Sequence, residues 1–221
     1  MSVCLDNVTS RHADCVRIMC GEGRAIEASV TTRNLRAHLR EATARAHDLL
    51  DDTMRAAAGW QTRDDYAAFL KIQYSARLSV EHWLSIYASP AIHPPAQTRL
   101  IAKDLTELGE ELPDILDSLV FDPRQEASHD VALGIAWVLA GSSLGNKAIL
   151  SEVRRIARAE GADAWPTRFL GDEAMLQFWK SLRREIEKPA TQHQSDAASR
   201  AAGAVFDHFL SFAANNSGMN V

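Results

Sequence analysis

The chain has 221 residues, 46% of them apolar and 24% charged, and a formal net charge of −5. That balance excludes a fully disordered chain, and the acidic sign argues against a protein that coats nucleic acid. The sequence has no run of 18 apolar residues and no basic segment leading into an apolar one at its start. Neither a spanning helix nor a signal peptide is therefore predicted, and a cytoplasmic protein without membrane contact is expected.

The cysteines, Cys4, Cys15 and Cys20, all lie near the N-terminus and are odd in number. They are no disulfide framework. His12, Cys15 and Cys20 offer a partial metal site, but their spacing fits no zinc pattern. The plainer reading is reduced thiols on a tail. Residues 1–32 lack helical periodicity and mix Gly21 and Gly23 with scattered charges. A poorly ordered extension is expected there, followed by one helical domain over 33–216 and a flexible tail over 217–221.

From Asn34 the pattern changes. Leu35, Leu39, Ala42, Ala46, Leu49 and Leu50 recur at three- and four-residue steps, which predicts an amphipathic helix. Thr31 or Thr32 is its candidate cap, and Gly59 ends it. Thr62 with Asp65 reads as the cap of a second helix. Its apolar stripe is Tyr66, Phe69, Leu70, Tyr74, Leu78, Leu84 and Tyr87, and Ser89-Pro90 stops it. A third helix is predicted from about Ala96 to Leu108, closed by Gly109. A fourth runs from near Ser128 through Ala159, interrupted by Gly134, Gly141 and Gly145 and ended by Gly161. Two more cover about 172–187 and 190–214. No segment alternates with period two. The predicted fold is an all-α, single-domain bundle of six or more helices.

Three features rise above this background. His47 shares a helix face with Arg36, Arg40 and Thr43 or Ala44. Arg40 lies two turns before it, about 10 Å along the axis. That separation suits a flat ligand whose metal meets the imidazole and whose acidic edge meets the guanidinium. A packed or surface histidine gives the same letters. The second feature is Gly141-Ser142-Ser143-Leu144-Gly145, with both glycines on one helical face. Interior glycines cost about 1 kcal/mol each against alanine, so they need a reason: close approach of a ligand, a kink, or close helix packing. The third is Phe178-Trp179-Lys180-Ser181-Leu182-Arg183-Arg184, where Lys180 and Arg184 lie on one face over an apolar stripe. A solvated basic face gives the same pattern unless it converges with Arg40 on an anion.

These pieces, in order, resemble the heme oxygenase family, particularly its shorter bacterial members. The matching segments are Leu39-Arg40-Glu41-Ala42-Thr43-x-x-x-His47, Tyr66-x-x-Phe69-Leu70-x-x-x-Tyr74 with Glu81, Gly141-Ser142-Ser143-Leu144-Gly145, and Ala201–Phe212 with Phe206 and Phe209. The resemblance covers roughly residues 33–214. It implies heme b held between a proximal and a distal helix, as both substrate and oxygen-activating cofactor. It implies that His47 is the proximal iron ligand. Gly141 and Gly145 would form the distal face, with Ser142 where animal members place an aspartate that orders water. Tyr74 matches a distal-side tyrosine, and Trp137 an aromatic beside the heme. Arg40, Lys180 and Arg184 match positions that meet the propionates, and Phe206 matches an aromatic wall. Two positions depart from bacterial relatives: Ala140 stands where glutamate is common, and Asn146 where glycine or alanine is usual. Asn146 at that position would crowd the pocket or donate a hydrogen bond near bound oxygen.

The activity this implies is oxidative cleavage of heme to biliverdin, iron and carbon monoxide. Its electrons would come from an external donor such as ferredoxin or a flavoprotein reductase. A bilin-using photoreceptor is one possible user of the product; iron acquisition is the other purpose. The same residues would equally serve a non-catalytic heme carrier or sensor. A thiaminase-like enzyme of the wider superfamily requires a mid-chain cysteine, and none follows Cys20. A di-iron site would need Glu-x-x-His motifs on two helices, which the sequence lacks. A helical interaction module predicts no heme binding.

Overall fold

The structure, a computed structural model, describes residues 34–114, 121–161 and 164–216. They form six α-helices: α1 (Leu35–Ala57), α2 (Arg63–Tyr87), α3 (Thr98–Glu107), α4 (His129–Ala159), α5 (Glu173–Ile186) and α6 (Gln192–Asn216). Among the described residues, β pairing is limited to one isolated bridge, Asn34 with Pro189. The all-α expectation therefore holds. The expected extension with its cysteines and His12, and the expected C-terminal tail, lie outside the described residues.

Helix ends follow local chemistry. Asn34, not Thr31 or Thr32, caps α1: its Oδ1 accepts the Ala37 N–H at 2.9 Å. Asn34 is the last extended residue before buried Leu35, so its carbonyl-bearing side chain is the one within reach of the orphan amides. The predicted capping box of α2 is present. Thr62 Oγ1 accepts from Asp65 N (3.1 Å), and Asp65 Oδ2 accepts from Thr62 N (3.0 Å). Ser128 caps α4 through Val131 N at 3.2 Å. Gly59, Gly109 and Gly161 sit just past α1, α3 and α4 with φ of +66°, +74° and +72°, a conformation in which a side chain would be strained.

The predicted interruption of α4 does not occur; it is one unbroken helix of 31 residues. From Val131 to Ala140 every residue except half-buried Trp137 is buried. Burying a single Leu, Ile or Val is worth about 1.5–3 kcal/mol, which outweighs the propensity cost of each glycine. α4 is also long and apolar enough to cross a membrane by length and composition. Here it serves as a core helix, packed on α5 and α6. At Gly134 the α4 and α6 backbones meet: an added Cβ would lie 2.8 Å from the carbonyl carbon of Ala198 and 2.9 Å from its Cα.

Two apolar cores result. The larger joins α1, α4, α5 and α6 around residues such as Leu39, Ile135, Leu139, Leu182 and Val205. The second joins α2, α3 and the 165–170 loop around Tyr66, Phe69, Ile101, Trp165 and Phe169. α6 is the floor on which both α1 and α4 lie.

Candidate functional site

His47 projects from the middle of α1. Its side chain is 58% exposed, and its Nδ1 faces Asp51 Oδ2 at 3.4 Å, one turn on. Beneath it the ring meets Phe206 of α6 edge-on, with centroids 6.2 Å apart. Phe206 is itself buried. The imidazole thus rests on Phe206, with Nδ1 toward a carboxylate. A carboxylate at Nδ1 is the usual device for setting a metal-ligating histidine's tautomer and leaving Nε2 for the metal. The sequence signal for Asp51 is a carboxylate four residues after His47, one helical turn on. Thr43, one turn before His47, lies at the inner edge of this face. It is buried, and its hydroxyl donates to the Leu39 carbonyl at 2.8 Å. The small residue beside His47 on the exposed face is Ala44.

On α4 the stretch Gly141–Gly145 is split by the helix turn. Gly141 is half-buried, while Leu144, Gly145 and Ala148 are exposed. A methyl on Gly145 would meet nothing within 4 Å, and one on Gly141 only the Trp179 ring, at 3.9 Å. This is an open, low-relief helix face. Trp137 lies one turn earlier and packs against Trp179 of α5, centroids 5.3 Å apart. Ser143 points inward and donates to the Ala140 carbonyl at 2.6 Å. Asn146 also points inward and is 6% exposed. It does not stand on the glycine face, so the expected crowding there does not arise. A 100° step from Gly145 turns it into the bundle.

Ser142 is held from both sides. Its hydroxyl donates to the Leu139 carbonyl (2.8 Å) and accepts from Arg77 Nη2 (2.8 Å). Arg77, on α2, is 1% exposed. Its Nε donates to Gln73 Oε1 at 3.1 Å. The guanidinium lies 5.2 Å from the Phe169 ring and 5.8 Å from Phe209, where the two cores meet. Burial pushes its pKa down to about 10, with Glu81 and Asp172 pulling the other way, so it remains charged at neutral pH. Phe169 is anchored in turn: Asp104, fully buried, accepts from the backbone N–H of Phe169 (2.9 Å) and of Arg168 (3.1 Å). Burial pushes the Asp104 carboxyl up against those hydrogen bonds, which favour its charged form.

The basic residues cluster only in part. The start of α1 is stitched to the end of α5: Asn34 bridges Pro189, Leu35 N approaches the Lys188 carbonyl at 3.5 Å, and Arg36 lies 3.6 Å from Glu187. Arg40 lines an open hollow of about 410 Å³ at this end of α1, with Asn34, Arg36, Ala37, Glu41 and Ala44. Lys180 and Arg184 are exposed on α5, and Arg184 is less than one turn before Glu187, the partner of Arg36. Among the described residues neither forms an ion pair; their side chains touch only Gln177 (3.5 Å) and Ser181 (3.4 Å). Tyr74 is half-buried against the second core. Glu81 accepts from Gln97 N (2.9 Å) and from Thr98 N and Oγ1 (3.3 and 2.7 Å), which fixes the start of α3. Among the described residues no three His, Cys, Asp or Glu side chains form a metal-binding cluster.

No protein-family model matches the sequence, and no curated protein matches it significantly. A solved structure does match: the NO- and CO-bound heme oxygenase from Neisseria meningitidis, at a TM-score of 0.64 and 19% identity, over 85% of this chain and 94% of that one. The bundle therefore has the heme oxygenase fold.

Proposed function

We propose that this chain binds heme between α1 and α4 and opens the ring oxidatively to biliverdin, iron and carbon monoxide, with electrons from a ferredoxin or flavoprotein reductase. The observation that carries the reading is His47: an exposed imidazole with its Nδ1 toward Asp51, on a helix of a heme oxygenase fold. The residues present fit the group. Heme is a flat apolar disc with two carboxylates on one edge, and it needs one neutral imidazole, low-relief walls and cations at the rim. His47 offers the imidazole. The open face at Gly141 and Gly145 offers the wall, and Arg40, Lys180 and Arg184 offer cations that form no ion pair among the described residues.

When bound, heme supplies both the ring to be opened and the iron that activates oxygen. The protein's part is positioning. Asp51, 3.4 Å from Nδ1, would orient the imidazole so that Nε2 is the nitrogen offered to the iron. Gly141 and Gly145 let the backbone approach the disc. The Ser142 proton is committed to the Leu139 carbonyl, so that residue retains only acceptor capacity toward a water. Arg40, Lys180 and Arg184 would meet the propionates and so set how the disc is rotated in its site.

Reconstitution with hemin followed by ascorbate or a reductase system tests the reading. The expected result is loss of the Soret band with biliverdin appearing in solution. A stable heme complex that never yields biliverdin would identify a carrier or sensor, and failure to bind hemin would remove both.

A further inference from the structure

Arg77 is a cation in an unusual place. Its guanidinium is fully buried, and among the described residues no carboxylate lies within ion-pair distance. The nearest acidic influences, Glu81 and Asp172, are engaged elsewhere: Glu81 at the start of α3, and Asp172 with Gln97 Nε2 (3.1 Å) and Ala174 N (3.0 Å). Two of its three nitrogens are satisfied, by Gln73 and Ser142. The third, Nη1, is buried without a hydrogen-bond partner among the described residues. An unpaired buried donor on a charged group costs stability, and a methionine could fill the slot between Phe169 and Phe209 without that cost. A residue kept only for packing would not carry the charge.

The position of the charge suggests what it does. Arg77 is hydrogen-bonded to Ser142, next in sequence to Gly141 and three residues before Gly145. The cation therefore sits inside the bundle, one hydrogen bond from the flank of the open face of α4. Water is excluded from its surroundings, so its field is poorly screened. We propose that Arg77 is a positioning residue that makes the ligand space over Gly141 and Gly145 selective for anions and locks Ser142 as an acceptor. This rests on the heme reading, since that space would be the ligand side of a heme held by His47.

The test uses the full-length protein loaded with hemin, and titrates it in the ferric state with fluoride, azide and neutral imidazole, followed by absorption. Arg77→Met and Arg77→Gln both remove the charge, so the experiment survives the misfolding of either. Each is expected to weaken fluoride and azide by about tenfold, the scale of one poorly screened unit charge. Imidazole affinity should stay within twofold. Arg77→Lys keeps the charge and should retain most of the anion affinity. Equal loss for anions and imidazole, or no loss for either, would overturn the proposal while leaving heme binding intact. A wild-type protein that binds no hemin would overturn the underlying reading as well.

Discussion

The two ends of the glycine-bearing part of α4 do opposite things. At Gly134 the missing side chain is occupied by another backbone: α6 passes so close that a Cβ would overlap Ala198. At Gly141 and Gly145 the missing side chain is occupied by nothing, apart from a ring edge of Trp179. Both kinds of glycine pay the same propensity cost within a single helix. Only the first recovers it in packing. The second recovers nothing in packing among the described residues, and this is the opening that the proposed heme face would use. Space, more than glycine content, separates a glycine that packs from one that leaves an opening.

Substitution should therefore split the two classes. Gly134→Ala must push α4 from α6 and should destabilise the protein by about 3 kcal/mol, the upper end of overpacking costs, as read by urea denaturation. A stability within 0.5 kcal/mol of wild type, a threshold of about the usual surface-mutation scatter, would contradict the crossing described here. Gly141→Ala and Gly145→Ala should do the reverse. Stability should hold or rise by up to about 1 kcal/mol, because alanine is the better helix former. Biliverdin production should fall by about a hundredfold, since a methyl displaces the disc or its ligand on the scale at which geometry matters. Normal turnover in both variants would reassign these glycines to packing.

A pH titration examines α6, the floor common to both regions. His208 is enclosed by Phe121, Phe209 and Phe212, and its Nε2 lies 3.1 Å from the Ala76 carbonyl and 3.0 Å from Ser79 Oγ. Burial pushes its pKa down, partly offset by the bond to Ala76. The unfolded state then binds the proton more readily. Its contribution to stability is complete above the unfolded value of about 6.5 and is lost as pH falls through the lower folded value. The urea midpoint should drop between pH 7.5 and 5 more in wild type than in His208→Gln. Equal drops would remove His208 from the account. The smallest effect belongs to the rim. Arg40→Ala or Lys180→Ala should weaken hemin binding two- to fivefold, as for exposed pairs, and shift the ratio of biliverdin isomers. Unchanged affinity and ratio would place the propionates elsewhere.

Much of this was legible in the sequence because it is written in local chemistry. The capping box Thr62–Asp65, the terminating glycines and the six helices follow from short-range patterns. The part that was not legible depends on tertiary contact. The apolar letters of α2 suggest a stripe through Tyr74, Leu78 and Tyr87, yet Tyr87 is 52% exposed while Gln73 and Arg77 are buried. The true inward face runs through Tyr66, Phe69, Leu70, Gln73, Ala76, Arg77, Val80 and Trp83. A reading that follows hydrophobic residues drifts off that face where two polar residues occupy it. Arg77 is hidden from sequence for the same reason that it is interesting. Asn146 shows the converse: one helical step from Gly145, it belongs to the interior, and its neighbour in sequence does not report its surroundings.

The central claim is that His47 binds heme iron, and the absorption and resonance Raman spectra of the hemin complex test it most directly. Wild type should show a histidine-ligated ferric heme at one equivalent of hemin. His47→Ala should lose that signature and turnover together, and added imidazole should restore the spectrum and part of the activity. Asp51→Asn should keep the ligand but weaken the iron–histidine stretching frequency of the ferrous complex. An unchanged heme spectrum in His47→Ala would contradict the account.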